Sequence, residues 1–312
     1  MKEIGGYIEL ELKKRNKYVH SDLIKLNSGR NGIVYAIKAY NISEMWVPYY
    51  TCPVVWQAIE DAGCKLKYYS IDKNFLPTCS FNQYDYILYT NYFGVCSSNI
   101  SLLRKKYPNL IIDNAQAFFY KPCGIASAYS PRKFIGVSDG GYVYCKKNIE
   151  NAFERDFSYN RFSHLLKRTD VDSNFGYQDF NTNDDSLIHA DIKTMSNLTQ
   201  SILSSIDYNY VIKKRRKNFN YLNKHLSSLN ELKITIKNDV PMYYPFLSKN
   251  SNLRAKLVKE KVYVPMCWKE MDNRCLPDSY EIYLQQNLLP LIIDQRYNIE
   301  DMKRVIDIIK NG

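Results

Sequence analysis

No two cysteines of this sequence are separated by just two residues, and no histidine stands at ligand spacing beside one. The eight cysteines, at positions 52, 64, 79, 96, 123, 145, 267 and 275, are scattered, as are the four histidines. No structural zinc site is expected. No apolar run is long enough to span a bilayer. The opening segment, MKEIGGYIELELKKRNK, is charged and amphipathic and lacks the pattern of a signal peptide. Scattered cysteines without a secretion signal predict reduced thiols and a cytoplasmic protein. Internal repeats and low-complexity linkers are absent too.

What is there is a globular composition. The chain has 312 residues, 45% of them hydrophobic. That suffices for a large domain with a substantial core, with or without a smaller one. The formal charge of +11, from 43 basic and 32 acidic residues, favours anionic partners. The densest basic run, Lys213 to Lys217, falls in a helical pattern and reads as a solvated face. YNYVIKKRR, Tyr208 to Arg216, is the best candidate for a nucleic-acid-binding stretch, which would need basic and aromatic residues on one face. A helical connector between domains explains it better.

The first two-thirds alternate short apolar runs with helical patterns. Strands are expected at Met45–Pro48, Cys64–Tyr69, Tyr86–Thr90, Asn109–Asp113, Gly124–Tyr129 and Gly141–Cys145. Helices are expected at Val54–Ala62 and Ile100–Tyr107. Such alternation predicts an α/β fold with a mostly parallel central sheet flanked by helices. From about Lys193 the pattern changes. Met195 to His225 reads as one or two long helices. Two short strands (Leu232–Ile236 and Lys261–Pro265) and a final helix (Asn298–Ile309) predict a small α+β C-terminal domain. The expected division is 1–205 and 206–312.

Parallel sheets gather ligands at the carboxyl ends of their strands. Asp113 closes the run NLIID, and Lys133 follows the next strand in YSPRKFIGVSDGG, so both are expected at one edge. An acid and an amine meeting there also fit a plain salt bridge. Two features favour chemistry. In LNSGRNGI, Ser28-Gly29-Arg30 opens a helix whose N-terminus can take an anion. In DNAQAF, Gln116 stands three residues after Asp113. A phosphate turn, an acid, an amide and a lysine are what pyridoxal 5'-phosphate requires. Phe134, Ile135 and Val137 give Lys133 an apolar flank, which predicts a partly desolvated amine. Ser130-Pro131-Arg132-Lys133 also fits S-x-x-K, but the K-T-G partner of that nucleophile motif is missing.

In this order, LNSGRNGI, WVPYYTCPVVWQAIEDAG, LYTNYFG, LIIDNAQAF, YSPRKFIGVSDGGYV and MSNLTQSILSSID resemble the DegT/DnrJ/StrS family of sugar aminotransferases, from about Leu26 to Leu226. The resemblance implies a fold-type-I pyridoxal-phosphate enzyme that is a homodimer. It implies transfer of an amino group, usually from glutamate, to a keto sugar on a nucleotide, feeding surface polysaccharide or glycoconjugates. Carried over, Lys133 matches the Schiff-base lysine. Asp113 matches the acid at the pyridine nitrogen, and Gln116 the residue near the ring hydroxyl. Ser28, Gly29 and Arg30 match the phosphate turn.

The sequence departs from the family in three places. The aromatic that stacks on the cofactor ring often follows P-x-x-T in the family; here Cys52 follows Pro48-Tyr49-Tyr50-Thr51, leaving Tyr50 or Trp56 as substitutes or the ring without an aromatic cover. The serine five residues before the lysine is Ala128, with Ser130 as the nearest hydroxyl. The partner subunit's asparagine is replaced by Ile192, beside Lys193. The chain is also shorter than typical members. A family member performing dehydration or sensing is the alternative within this fold. His164, Lys167 and Arg168 lie in SHLLKRTD, read as a polar loop able to reach substrate phosphates or to remain plain surface.

Overall fold

A computed structural model describes residues 4–150 and 152–311. The expected domains also include residues 1–3, 151 and 312, which lie outside the described residues. The chain begins with β1 (Ile24–Leu26), α1 (Gly29–Tyr40), β2 (Glu44–Pro48), α2 (Pro53–Asp61), β3 (Lys65–Tyr69) and β4 (Ile87–Thr90). It continues with α3 (Ser97–Lys106), β5 (Leu110–Asn114), β6 (Ala126–Tyr129) and β7 (Gly141–Cys145). These strands form one seven-stranded sheet in the order β1-β7-β6-β5-β4-β2-β3. The run from β3 to β6 is parallel, and β7 and β1 are antiparallel to their neighbours.

The central strands are buried on both faces, which is why LIIDN and ILYT are continuous rather than alternating runs. Ile33 and Ile37 of α1, Ile59 of α2 and Ile100 of α3 join Val47, Leu88 and Ile111 of the sheet in one core. The α/β architecture expected from the sequence is therefore present. β1 was not expected; it is three residues long and its pattern is too short to read.

The later elements are α4 (Ser163–Asp170), α5 (Tyr177–Asp185), α6 (Asn197–Ser205), α7 (Tyr208–Leu226), β8 (Tyr243–Leu247), α8 (Asn252–Lys259), α9 (Tyr280–Asn287), β9 (Leu288–Ile292) and α10 (Ile299–Lys310). β8 and β9 form a separate two-stranded antiparallel sheet. The strands expected at Leu232–Ile236 and Lys261–Pro265 do not exist. Both true strands carry a proline, and Pro245 faces Pro290 across the pair. Proline demotes a strand in sequence reading, yet an edge strand tolerates it, and in a two-stranded sheet both strands are edges. Leu232 instead packs into the large core as irregular chain.

α7 joins the two halves. Tyr208 and Val211 pack with Phe118, Tyr129 and Tyr142 beside the large sheet. Further along, Phe219, Leu222 and Leu226 pack with Tyr244, Phe246 and Leu291. The basic run is not simply a solvated face. Arg215 is 1% exposed, lies over the Phe134 ring and donates to the Met242 carbonyl at 3.1 Å. Arg216 donates to the Asp239 carbonyl at 3.1 Å. SHLLKRTD is likewise not a loop but α4, an amphipathic helix that buries His164 against Phe180. Lys167 pairs with Asp179 at 2.6 Å. No helix among the described residues is long and apolar enough to cross a membrane.

Candidate active site at the carboxyl edge of the sheet

β4, β5 and β6 run in the same direction, and Thr90, Asp113 and Ala128 are in register. Asp113 therefore stands at the carboxyl edge. β6 ends at Tyr129, and the short turn Pro131–Lys133 brings Lys133 back to that edge. The two groups interact electrostatically. Burial pushes the Asp113 carboxyl up from its usual range, and the Lys133 charge and the Ala115 N–H oppose the shift. The Ala115 N–H donates to Asp113 Oδ1 at 2.8 Å, which fixes the carboxylate's orientation. Lys133 is exposed, whereas Phe134, Ile135 and Val137 are buried. The expectation of an amine shielded by its own apolar flank is thus wrong. The turn sends those side chains into the core and the amine the other way.

Gln116 is buried, and its Oε1 accepts the Phe93 N–H at 2.7 Å. That amide is available because Phe93 has φ 54°, and Gly94 follows at φ 73°. Asn91 holds the turn from both ends, donating to Asn114 Oδ1 at 3.1 Å and accepting the Cys96 N–H at 3.1 Å. The NYFG segment therefore serves to orient Gln116, leaving its Nε2 to donate elsewhere.

Ser28 caps α1, its hydroxyl accepting the Asn31 N–H at 3.2 Å. The first-turn amides of such a helix lack i−4 partners and carry the positive end of its dipole. Gly29 abuts the turn before Lys133. A Cβ on Gly29 would lie 3.1 Å from the Ser130 Cβ and 3.1 Å from the Tyr129 carbonyl. The helix N-terminus and Ser130 thus pack directly on each other. Arg30, on the same turn, donates to the Leu187 carbonyl at 3.2 Å; burial lowers its pKa, and the neighbouring Cys52 and Asp184 oppose the shift. Behind the turn, a Cβ on Gly141 would lie 2.1 Å from the Ser28 carbonyl oxygen. Gly141→Ala is accordingly expected to cost about 3 kcal/mol or more by driving the Ser28–Gly29 turn outward. Chemical denaturation checks this, and an unchanged midpoint contradicts it.

Three supports were not legible in the sequence. Asp139 is buried and accepts the Ser196 N–H at 2.9 Å, the Ser196 hydroxyl at 2.8 Å and the Thr199 hydroxyl. The acid of DGG thus ties the glycine turn to the N-terminus of α6. Asn31 Nδ2 donates to Asn27 Oδ1 at 2.8 Å and to the Asp191 carbonyl at 3.0 Å, holding residues 190–193 against α1. Cys267, from the C-terminal third, shares the surroundings of Lys133 and Cys52.

The substitutes for a stacking aromatic are both engaged elsewhere. Tyr50 is fully buried, edge-on to Trp268 with ring centroids 4.6 Å apart. Trp56 is buried, donates to the Pro48 carbonyl at 3.3 Å and carries the Arg274 guanidinium on its face. Ile192 is partly buried and packs against Leu26, Tyr35 and Val143, at the margin of an apolar cluster.

No protein-family model and no curated protein matches the sequence. Solved structures do match in fold. Spr1654 from Streptococcus pneumoniae, in its PLP form, has a TM-score of 0.66 at 12% identity, over 94% of this chain and 88% of that one. A DegT/DnrJ/EryC1/StrS aminotransferase from Brucella abortus has a TM-score of 0.62 at 13% identity, over 93% and 85%. DesI, in the presence of its TDP-sugar product, has a TM-score of 0.61 at 13% identity, over 92% and 79%. At such identity the likeness is one of fold: this chain has the architecture of those aminotransferases almost throughout its length.

Proposed function

We propose that this chain is a pyridoxal-phosphate-dependent aminotransferase that moves an amino group, from glutamate, to a nucleotide-linked keto sugar. The observation that carries the reading is the meeting of Lys133 and Asp113 at one sheet edge, beside the glycine-lined N-terminus of α1. The first-turn amides of α1 can take a phosphate, and the close packing of Gly29 on Ser130 and of Gly141 on Ser28, which leaves no room for a Cβ at either glycine, fixes that turn in place. The fold shared with a PLP-form protein and with a sugar-product complex supports the same reading.

Ser28, Gly29 and Ser130 would hold the phosphate, with Arg30 flanking the turn. Asp113 would face the pyridine nitrogen and Gln116 the ring oxygen, while Tyr50 backs the pocket from within the core. Pyridoxal phosphate, when bound, supplies an electron sink for the carbon that bears the amino group. Lys133 would hold the cofactor covalently, and its amine, when free, would move a proton on and off that carbon. Asp113, buried and pinned by the Ala115 N–H, would keep a proton on the ring nitrogen. The exposure of Lys133 leaves its amine open to substrate. The protein works as a cytoplasmic homodimer in making surface polysaccharide or glycoconjugates.

The test is an absorption spectrum of the protein loaded with pyridoxal phosphate, before and after glutamate and then a nucleotide-linked keto sugar. The lysine-bound band is expected to vanish with glutamate and to return with the sugar. A band that glutamate leaves unchanged would overturn the donor assignment and favour dehydration or sensing.

A further inference from the structure

The residues on either side of Lys133 are tied to α5. Arg132 Nη2 pairs with Asp184 Oδ1 at 2.8 Å, and Asn183 Nδ2 donates to the Ser138 carbonyl at 2.9 Å. α4 packs on the same segment, since a Cβ on Gly136 would lie 3.5 Å from Leu165 Cδ2. The chain leaving α5 then ties the turn that opens α1. Arg30 donates to the Leu187 carbonyl at 3.2 Å, and Asn31 to the Ala190 carbonyl at 3.1 Å. One stretch, Asn183 to Ala190, thus reaches both the lysine turn and the proposed phosphate turn. We infer that this stretch is a strap that sets the placement of Lys133 relative to the N-terminus of α1, with Asp184 and Asn183 as its positioning residues on the lysine side.

Lys133 depends on such a strap. Its ammonium has no hydrogen bond or ion pair among the described residues, so the backbone of the turn places it. Arg132 is largely buried and Asn183 fully so, whereas Asp184 is half-exposed. α5 itself gains nothing from Asp184. The last turn of that helix holds no basic residue, and a carboxylate there opposes the helix dipole. The bond to Arg132 offsets that cost, so removing Asp184 should loosen the tie without melting the helix. The Asp184 charge also favours the ionised form of Arg30, on the other turn. From the opposite side, Gln295 Nε2 donates to the Phe134 carbonyl at 2.8 Å. Loss of Asp184 therefore loosens the lysine turn but does not release it.

The inference rests on the pyridoxal-phosphate reading, and its first test needs no cofactor. The amides of Phe134, Ile135 and Val137 bond within the lysine turn. Their hydrogen exchange is followed by mass spectrometry in the full-length protein, in Asp184→Ala, in Asp184→Glu and in Asp185→Ala, a control at the exposed neighbour. Asp184→Ala is expected to speed exchange in this turn about fivefold, as for loss of a partly buried ion pair, with the melting temperature unchanged. Asp184→Glu should restore the protection, and Asp185→Ala should match wild type. Where Asp184→Ala melts below wild type, Arg132→Gln takes its place with the same expectations. The second readout is spectroscopic. After mixing with pyridoxal phosphate, the lysine-bound band should form about fivefold more slowly in Asp184→Ala and at the wild-type rate in Asp184→Glu. Unchanged exchange would overturn the strap. Faster exchange with a band that forms at the wild-type rate would overturn the positioning role. A band that forms normally in every variant leaves the proposed function standing and sinks only this inference; no band in wild type sinks both.

Discussion

Lys133→Ala is expected to lower amino-transfer turnover by about 100- to 10,000-fold, the contribution typical of a positioned acid–base group. Cofactor binding through the phosphate turn should weaken but persist. The variant should fold normally. The Lys133 side chain is exposed, and its ammonium makes no hydrogen bond or ion pair among the described residues. No other basic group is equivalent. Cys52 and Cys267 are held protonated by burial, and Arg30 is turned to a backbone carbonyl. Steady-state kinetics beside thermal melting check the prediction. Turnover within a few-fold of wild type would return Lys133 to the ordinary surface lysines of this basic chain.

Asp113→Asn separates chemistry from stability. Turnover should fall by about 100-fold or more, because an amide cannot keep the ring nitrogen protonated as a carboxylate does. Stability should move the other way. The folded carboxyl has a raised pKa, so between its unfolded and folded values the native state binds more protons than the unfolded one. Stability therefore falls as pH rises through that window, and the deficit persists at neutral pH. Asparagine removes the deficit and still accepts the Ala115 N–H. The variant is expected to melt above wild type at pH 7 and to lose its advantage in acid, where wild-type Asp113 is also neutral. A variant less stable than wild type at pH 7 would show that the Lys133 attraction outweighs desolvation.

The large sheet was readable because its strands are buried on both faces and leave uninterrupted apolar runs. The placement of Asp113 near the end of β5 and of Lys133 just after β6 was readable for the same reason, because parallel strands share an edge. Other features carry no local signal. β8 and β9 hide behind Pro245 and Pro290, and the apparent alternation of Leu232–Ile236 belongs to chain without a ladder partner. His164 sits in a segment too polar to read as helix, yet α4 forms because one face packs on Phe180 and Lys167 pairs with Asp179. Arg215 stands in a basic run that looks solvated, and only the fold reveals the Phe134 ring and the carbonyls that receive it. The acid of DGG reads as part of a turn, while its three bonds to Ser196 and Thr199 come from across the chain.

The central claim is that Lys133 is the residue to which the cofactor attaches. The most direct measurement is borohydride reduction of the protein loaded with pyridoxal phosphate, followed by proteolysis and mass mapping of the modified peptide. The account predicts one modified site, Lys133, and none in Lys133→Ala. Modification at another lysine, or none at saturating cofactor, would contradict it.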